Sequence, residues 1–162
     1  MNLSSAGLAL LKRSEGFRAQ VYTDATGNPT IGYGHKLLHP ESFPAGIDET
    51  FAAQILSRDV AEAEVVVSHL VKVPLNQGQF DALVDFVFNL GGGRLAGSTL
   101  LLDLNKGYYN DAAAQLLRWD HAGMKELPAL KLRRIAEFQL WYGKQPHAQG
   151  PGNREQGTGE AV

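Results

Sequence analysis

The sequence predicts an α+β, mostly helical fold with a small antiparallel sheet lobe and a helical lobe. Two observations carry this. The stretch from Gln20 to Tyr33 places β-prone residues on either side of a turn-forming segment. From Asp48 onward, apolar residues recur at helical spacing in one segment after another.

The elements follow in order. Ser4 or Ser5 caps a first helix running to about Ser14, and Gly16 ends it. Val21-Tyr22 and Thr30-Ile31-Gly32-Tyr33 read as strands, with turn chemistry in Asp24-Ala25-Thr26-Gly27-Asn28-Pro29 between them. This hairpin or three-stranded sheet ends near Leu38, and a proline-containing loop follows from His39 to Gly46. A helix from about Asp48 to Val71 carries Phe51, Ile55 and Val60 at apolar positions, and Pro74 breaks the pattern. Asn76 caps Gln77 to Leu90, where Phe80, Leu83, Val84, Val87 and Phe88 mark a central, buried helix. Gly91-Gly92-Gly93 ends it. Ser98 or Thr99 opens a helix to about Lys106, Asn110 or Asp111 caps another through Arg118, and Leu130 to Gly143 forms the last. From Lys144 the chain is rich in Gly, Pro, Gln and Glu and reads as a flexible tail. The expected catalytic domain is therefore 1–143, with the sheet lobe at about 16–38, the helical lobe at about 48–143 and the tail at 144–162.

Composition narrows the function classes. At 162 residues and 44% hydrophobic, the chain can bury a core without staples. It has no cysteine, which removes disulfides and thiolate metal sites. A net charge of −2 does not suit a nucleic-acid partner. The best local basic candidate is Lys125, Lys131, Arg133 and Arg134, which reads as a solvated helix face. No segment is long and apolar enough to span a membrane. The apolar run Gly7 to Leu11 precedes Lys12 and Arg13, the wrong order for a secretory signal. We expect a monomer made in the cytoplasm without stable membrane insertion. If its target lies outside, another agent must deliver it or a leader has been removed.

The chemistry-bearing candidates are Glu15, Asp24 and Thr30. Leu8, Leu11 and Glu15 share one helix face, where a carboxylate must be paired or protonated. Desolvation there raises a carboxyl pKa and keeps it available as an acid. Asp24 sits at the polar mouth of the turn and should stay ionised, while Thr30 on the return strand offers a hydroxyl to orient a water. Glycoside hydrolysis asks for such a pair: one acid for the leaving oxygen and one carboxylate across the sugar. Each residue also has a structural reading. Glu15 could pair with Arg13 or Arg18, Asp24 could only start an Asx turn, and Thr30 could be a plain strand residue. Spacing alone leaves both readings open.

Three motifs resemble the phage-type lysozymes of glycoside hydrolase family 24. The first is Glu15-Gly16-Phe17, Tyr22-Thr23-Asp24 and Gly27 through His35. It contains the family's order of Glu, eight residues, Asp or Cys, five residues, Thr, here with Asp24 at the second position. The second is Phe88 to Gly93, then Ser98 to Leu101 and Leu104 to Gly107; the third, looser, is Leu130 to Glu137. Together they span roughly 3–143. Pro128-Ala129 and Gly123-Met124 depart from the family's common residues and bear on loop shape, not on the acid pair.

The resemblance implies a two-lobed lysozyme-like fold. It implies hydrolysis of the β-1,4 bond between N-acetylmuramic acid and N-acetylglucosamine in peptidoglycan glycan strands, with no metal or organic cofactor. Glu15 would be the general acid, Asp24 would hold or activate the water, and Thr30 would help place it. The protein would then act on the cell wall. A non-catalytic peptidoglycan-binding module on the same scaffold is the alternative, and an unrelated helical interaction domain a third reading.

Among other residues, His35 at the sheet edge is expected to pair, as a structural device, with a carboxylate on the following helix, and the resemblance implies Asp59 as that partner. Asn89 and Gln115 are candidate substrate contacts from the helical side, since amides bond sugar N-acetyl groups. Tyr33 is a third candidate, able either to face the cleft or to pack on the sheet. Trp119, four residues after Gln115, fits the cleft wall and the core equally. His39, His69, His121 and His147 show no metal-ligand spacing.

Overall fold

The computed structural model describes residues 1–143, so the expected tail lies outside the described residues. The elements are α1 (Ser5–Glu15), β1 (Arg18–Thr23), β2 (Pro29–Gly32), β3 (His35–Lys36), α2 (Glu49–Leu70), α3 (Gln77–Leu90), α4 (Gly92–Ala96), α5 (Thr99–Asn105), α6 (Tyr109–Leu116), β4 (His121–Ala122), β5 (Lys125–Glu126) and α7 (Pro128–Trp141). This is the expected α+β, mostly helical architecture.

The first three strands form one antiparallel sheet in the order β1-β2-β3. Thr30 is paired with Tyr22 on one side and Lys36 on the other. Directly opposed residues point to the same face, so Tyr22, Thr30 and Lys36 form a row across the sheet. The Asp24–Asn28 turn that joins β1 to β2 is closed by the Asp24 N–H on the Asn28 carbonyl at 2.9 Å. The second sheet is only the β4-β5 hairpin.

Helix α3 is the centre of the molecule. Every residue from Phe80 to Val87 is buried, and α1, α2, α4 and α7 all lie against it. Asn76 caps it in a reciprocal box with Gln79. The approach of α7 is close enough that a Cβ on Gly78 would lie 2.0 Å from the Leu140 carbonyl oxygen. Two acids, Asp81 and Asp85, are buried on this apolar helix. Asp81 accepts from the Ser4 backbone N–H at 3.0 Å and from the Ser4 hydroxyl. Ser4 is the N-cap of α1 and accepts in turn from Gly7 N. The central helix thus fixes the start of the helix whose last residue is Glu15.

Several boundaries differ from the expected ones. The first helix includes Glu15, one residue beyond the expected end. Only Gly91, at φ +88°, ends α3, and Gly92 already begins α4. The last helix starts two residues early because Pro128 occupies its first turn, where no N–H is needed. The β4-β5 hairpin was not expected.

Candidate active site

Glu15 projects from the C-terminal end of α1 into an ion pair. Its Oε1 accepts from Arg133 Nη1 at 2.7 Å. Arg133 reaches it from α7 while also holding Asp85 of α3, through Nε to Oδ2 at 2.7 Å and Nη2 to Oδ1 at 3.1 Å. One guanidinium therefore serves two carboxylates from two other helices. The apolar face expected around Glu15 is only partly present, since Leu8 is exposed while Leu11 is buried. Neither Arg13 nor Arg18 is its partner; Arg133 is.

This overturns the reading of Arg133 and Arg134 as a solvated basic face. Both are buried, whereas Lys125 and Lys131 are exposed. The cause is a set of acids waiting for them. Besides Asp85 and Glu15, Glu137 accepts from Arg134 Nη2 at 2.6 Å. The Arg134 guanidinium also stands 5.2 Å from the Phe86 ring centre. Burial pushes the Glu137 carboxyl well above the usual carboxylate range; Arg134 opposes this and Asp85 adds to it.

The second oxygen of Glu15 faces Gly34. A Cβ built on Gly34 would lie 2.6 Å from Glu15 Oε2, and the residue sits at φ +78°. Only glycine gives that backbone angle and that clearance together. Gly34→Ala should therefore cost about 1–2 kcal/mol of stability from the backbone alone, and should depress lysis further by displacing Oε2. Thermal melting and cell-wall lysis measured on the same preparation check this. Wild-type lysis by the Gly34→Ala variant would contradict it.

Asp24 is anchored quite differently. Its Oδ1 accepts from Thr26 N at 2.8 Å, Thr26 Oγ1 at 2.8 Å and Asn28 N at 2.9 Å. The Asn28 N–H first, and then the Thr26 hydroxyl, hold its pKa down at about 2 against weaker desolvation. With Oδ1 saturated, Oδ2 is left facing Lys36 Nζ at 3.8 Å. Thr30 is buried, and its hydroxyl donates to the Asn28 carbonyl at 3.1 Å. The oxygen of that hydroxyl keeps its lone pairs for an incoming hydrogen.

Tyr22 is the cross-strand neighbour of Thr30. Its phenol pKa is raised, first by burial and then by the charges of Glu15 and Asp24, with Arg18 pulling the other way. Tyr22 also sits two residues before Asp24 in the chain.

The remaining candidates are dispersed. Asn89 Oδ1 accepts from Arg134 Nη2 at 3.0 Å, which leaves the Nδ2 hydrogens to point elsewhere. Gln115 is half-buried on α6 and makes no side-chain hydrogen bond among the described residues. Trp119 meets the Phe86 ring edge-on at 5.3 Å, a core contact. Tyr33 is buried, with its ring 5.7 Å from that of Phe17 and its hydroxyl donating to Glu49. That bond to Glu49, then burial, push its pKa up to about 12. Tyr33 thus packs against Phe17 and α2, and its donor is already committed.

His35 Nδ1 lies 2.8 Å from Asp59 Oδ2, and its Nε2 lies 3.0 Å from Glu41 Oε2. Glu41 is a second partner that the sequence did not reveal. Burial opposes protonation of the ring, but the bonds to Glu41 and Asp59 outweigh it and raise the pKa above the ordinary 6.5. A raised histidine stabilises fully below its unfolded pKa, and that stabilisation is lost as pH rises through the folded value. The gap in Tm between wild type and His35→Asn should therefore narrow as pH rises from about 5 to about 9. A gap that stays constant across that range would contradict the pair's charge.

Comparisons with known proteins give the family. The family model described as phage lysozyme matches residues 12–137. The chain belongs to the phage lysozyme family. The endolysin of Salmonella phage P22 is 42% identical over 144 residues, covering 87% of this chain and 98% of that one. A crystal structure of a P22 lysozyme mutant superposes with a TM-score of 0.77 at 39% identity, covering 88% and 99% of the two chains. The muramidase domain of SpmX from Asticaccaulis excentricus gives 0.80 at 34% identity, covering 86% and 97%. The chain is thus a glycoside hydrolase of the lysozyme type that lyses cell walls. Nothing in these likenesses supports the non-catalytic binding module.

Proposed function

We propose that this lysozyme cleaves the β-1,4 bond between N-acetylmuramic acid and N-acetylglucosamine by a single inverting displacement. What supports this is the unequal anchoring of the two carboxylates, Glu15 and Asp24. Asp24 is locked as a carboxylate with one oxygen saturated by its own turn. Glu15 has one oxygen taken by Arg133, so the proton it delivers sits on Oε2, the oxygen beside Gly34.

The steps follow from these positions. Glu15 protonates the glycosidic oxygen as the bond to the anomeric carbon lengthens. A water donates one hydrogen to Asp24 Oδ2 and the other to the Thr30 hydroxyl oxygen. With both hydrogens held, its lone pair is aimed at the opposite face of the sugar. Asp24 takes up the proton as the new bond forms. Asn89 donates from Nδ2 to an acetamido carbonyl, its orientation set by Arg134. Gln115 would extend that wall along α6. All of these residues come from one chain, and we take the active species to be a monomer on a glycan strand.

Proton NMR of the first product tests the displacement. An α-anomer appearing before mutarotation is expected. A β-anomer first would mean that Asp24 attacks the sugar itself.

A further inference from the structure

Lys36 is the cross-strand neighbour of Thr30, so both side chains leave the same face of the sheet. Its side chain is 59% exposed, and its ammonium reaches only 3.8 Å from Asp24 Oδ2. Two roles are open to a cation in that position. It could hold Asp24 ionised, or it could serve something that arrives with the substrate.

The first role is already filled. Three hydrogen bonds from Thr26 and Asn28 converge on Oδ1, and they account for most of the depression of the Asp24 pKa, with Lys36 the least of the causes. An exposed pair at this separation adds little, because water and salt screen it and the long side chain is not held. No other acid lies within ion-pair distance of Lys36 among the described residues. The ammonium is therefore a loosely held positive charge at the rim of the site, in a chain whose net charge is −2.

We propose that Lys36 is a specificity-determining residue that binds a carboxylate of the peptide stem carried by the glycan strand. In intact peptidoglycan the lactyl carboxyl of the muramic acid is consumed in the amide that joins the stem. The free anions near the scissile bond then belong to the stem itself. A flexible lysine suits such a ligand, since a stem carboxylate is mobile and presents no fixed bidentate geometry. This proposal rests on Asp24 and Thr30 forming the water side of the cleft.

The test compares wild type, Lys36→Gln and Lys36→Arg on one peptidoglycan preparation, untreated and with its stem carboxylates amidated. On untreated polymer, Lys36→Gln should raise KM about two- to five-fold, with kcat and the acid limb of the pH profile held, and Lys36→Arg should restore KM. On amidated polymer, wild type should fall to the level of Lys36→Gln, and the difference between them should vanish. A KM effect of equal size on both polymers would overturn the proposal, as would no effect on either. A shift of the acid limb in Lys36→Gln would overturn it in favour of a role through Asp24. Asp24→Asn run alongside separates the two claims: if it lyses the wall like wild type, the reading of the water side fails, whatever Lys36 does.

Discussion

Glu137→Ala should destabilise the fold by about 3–5 kcal/mol, the effect of removing one partner from a buried ion pair. Arg134 and Glu137 are both fully buried. Without Glu137, the guanidinium keeps, among the described residues, only the Asn89 carbonyl and the face of Phe86. It cannot shed its proton to escape the penalty. Against a total of about 5–15 kcal/mol, that loss is a large share.

Arg134→Ala should cost less, because the orphaned Glu137 can take up a proton, and burial already favours its neutral form. Its deficit should shrink as pH falls. A raised carboxyl pKa means that stability is lost as pH rises through the folded value, and removing the cation raises that value further. Replacing both residues by leucine should recover most of the loss, since no charge is left buried. Denaturant unfolding of the three variants checks the order. Losses under about 1 kcal/mol for both single variants would show that the pair is hydrated after all.

The parts of the site legible in the sequence were those that lie close together along the chain. Asp24 and its turn donors fall within five residues, and Thr30 follows directly on the return strand. Local turn chemistry was enough to place them. The helical elements were legible where caps and apolar spacing coincided, as at Asn76 and α3. They were not where a local signal was ambiguous. Gly91, Gly92 and Gly93 look alike, yet only Gly91 takes positive φ, and α4 begins at the next residue. Strands of two residues, as in β4 and β5, have no period to read.

The ion-pair network was invisible for a different reason. Arg133 is 118 positions from Glu15 and 48 from Asp85. Periodicity counts an arginine as polar and assigns it to solvent. Its burial is decided by acids on other helices. A signal was available on the acid side: Asp81 and Asp85 sit one turn apart on a helix apolar all round, and buried carboxylates require partners. Asp81 finds Ser4 and Gln77, and Asp85 finds Arg133.

The proposed chemistry stands or falls on Glu15 supplying the proton while Asp24 remains a carboxylate. Glu15→Gln addresses this with little disturbance elsewhere. The glutamine can still accept from Arg133 Nη1 through its side-chain oxygen, and Arg133 keeps both of its bonds to Asp85. The variant should therefore fold and melt nearly as wild type does. What it lacks is a transferable proton, and general acid catalysis of this kind contributes about 10²–10⁴-fold. The deciding experiment is the rate of turbidity loss of purified peptidoglycan by wild type and by Glu15→Gln, with melting curves on the same samples. A fall of at least about 10²-fold, with the melting curve unchanged, is expected. Equal lysis by the two proteins would show that Glu15 is not the acid.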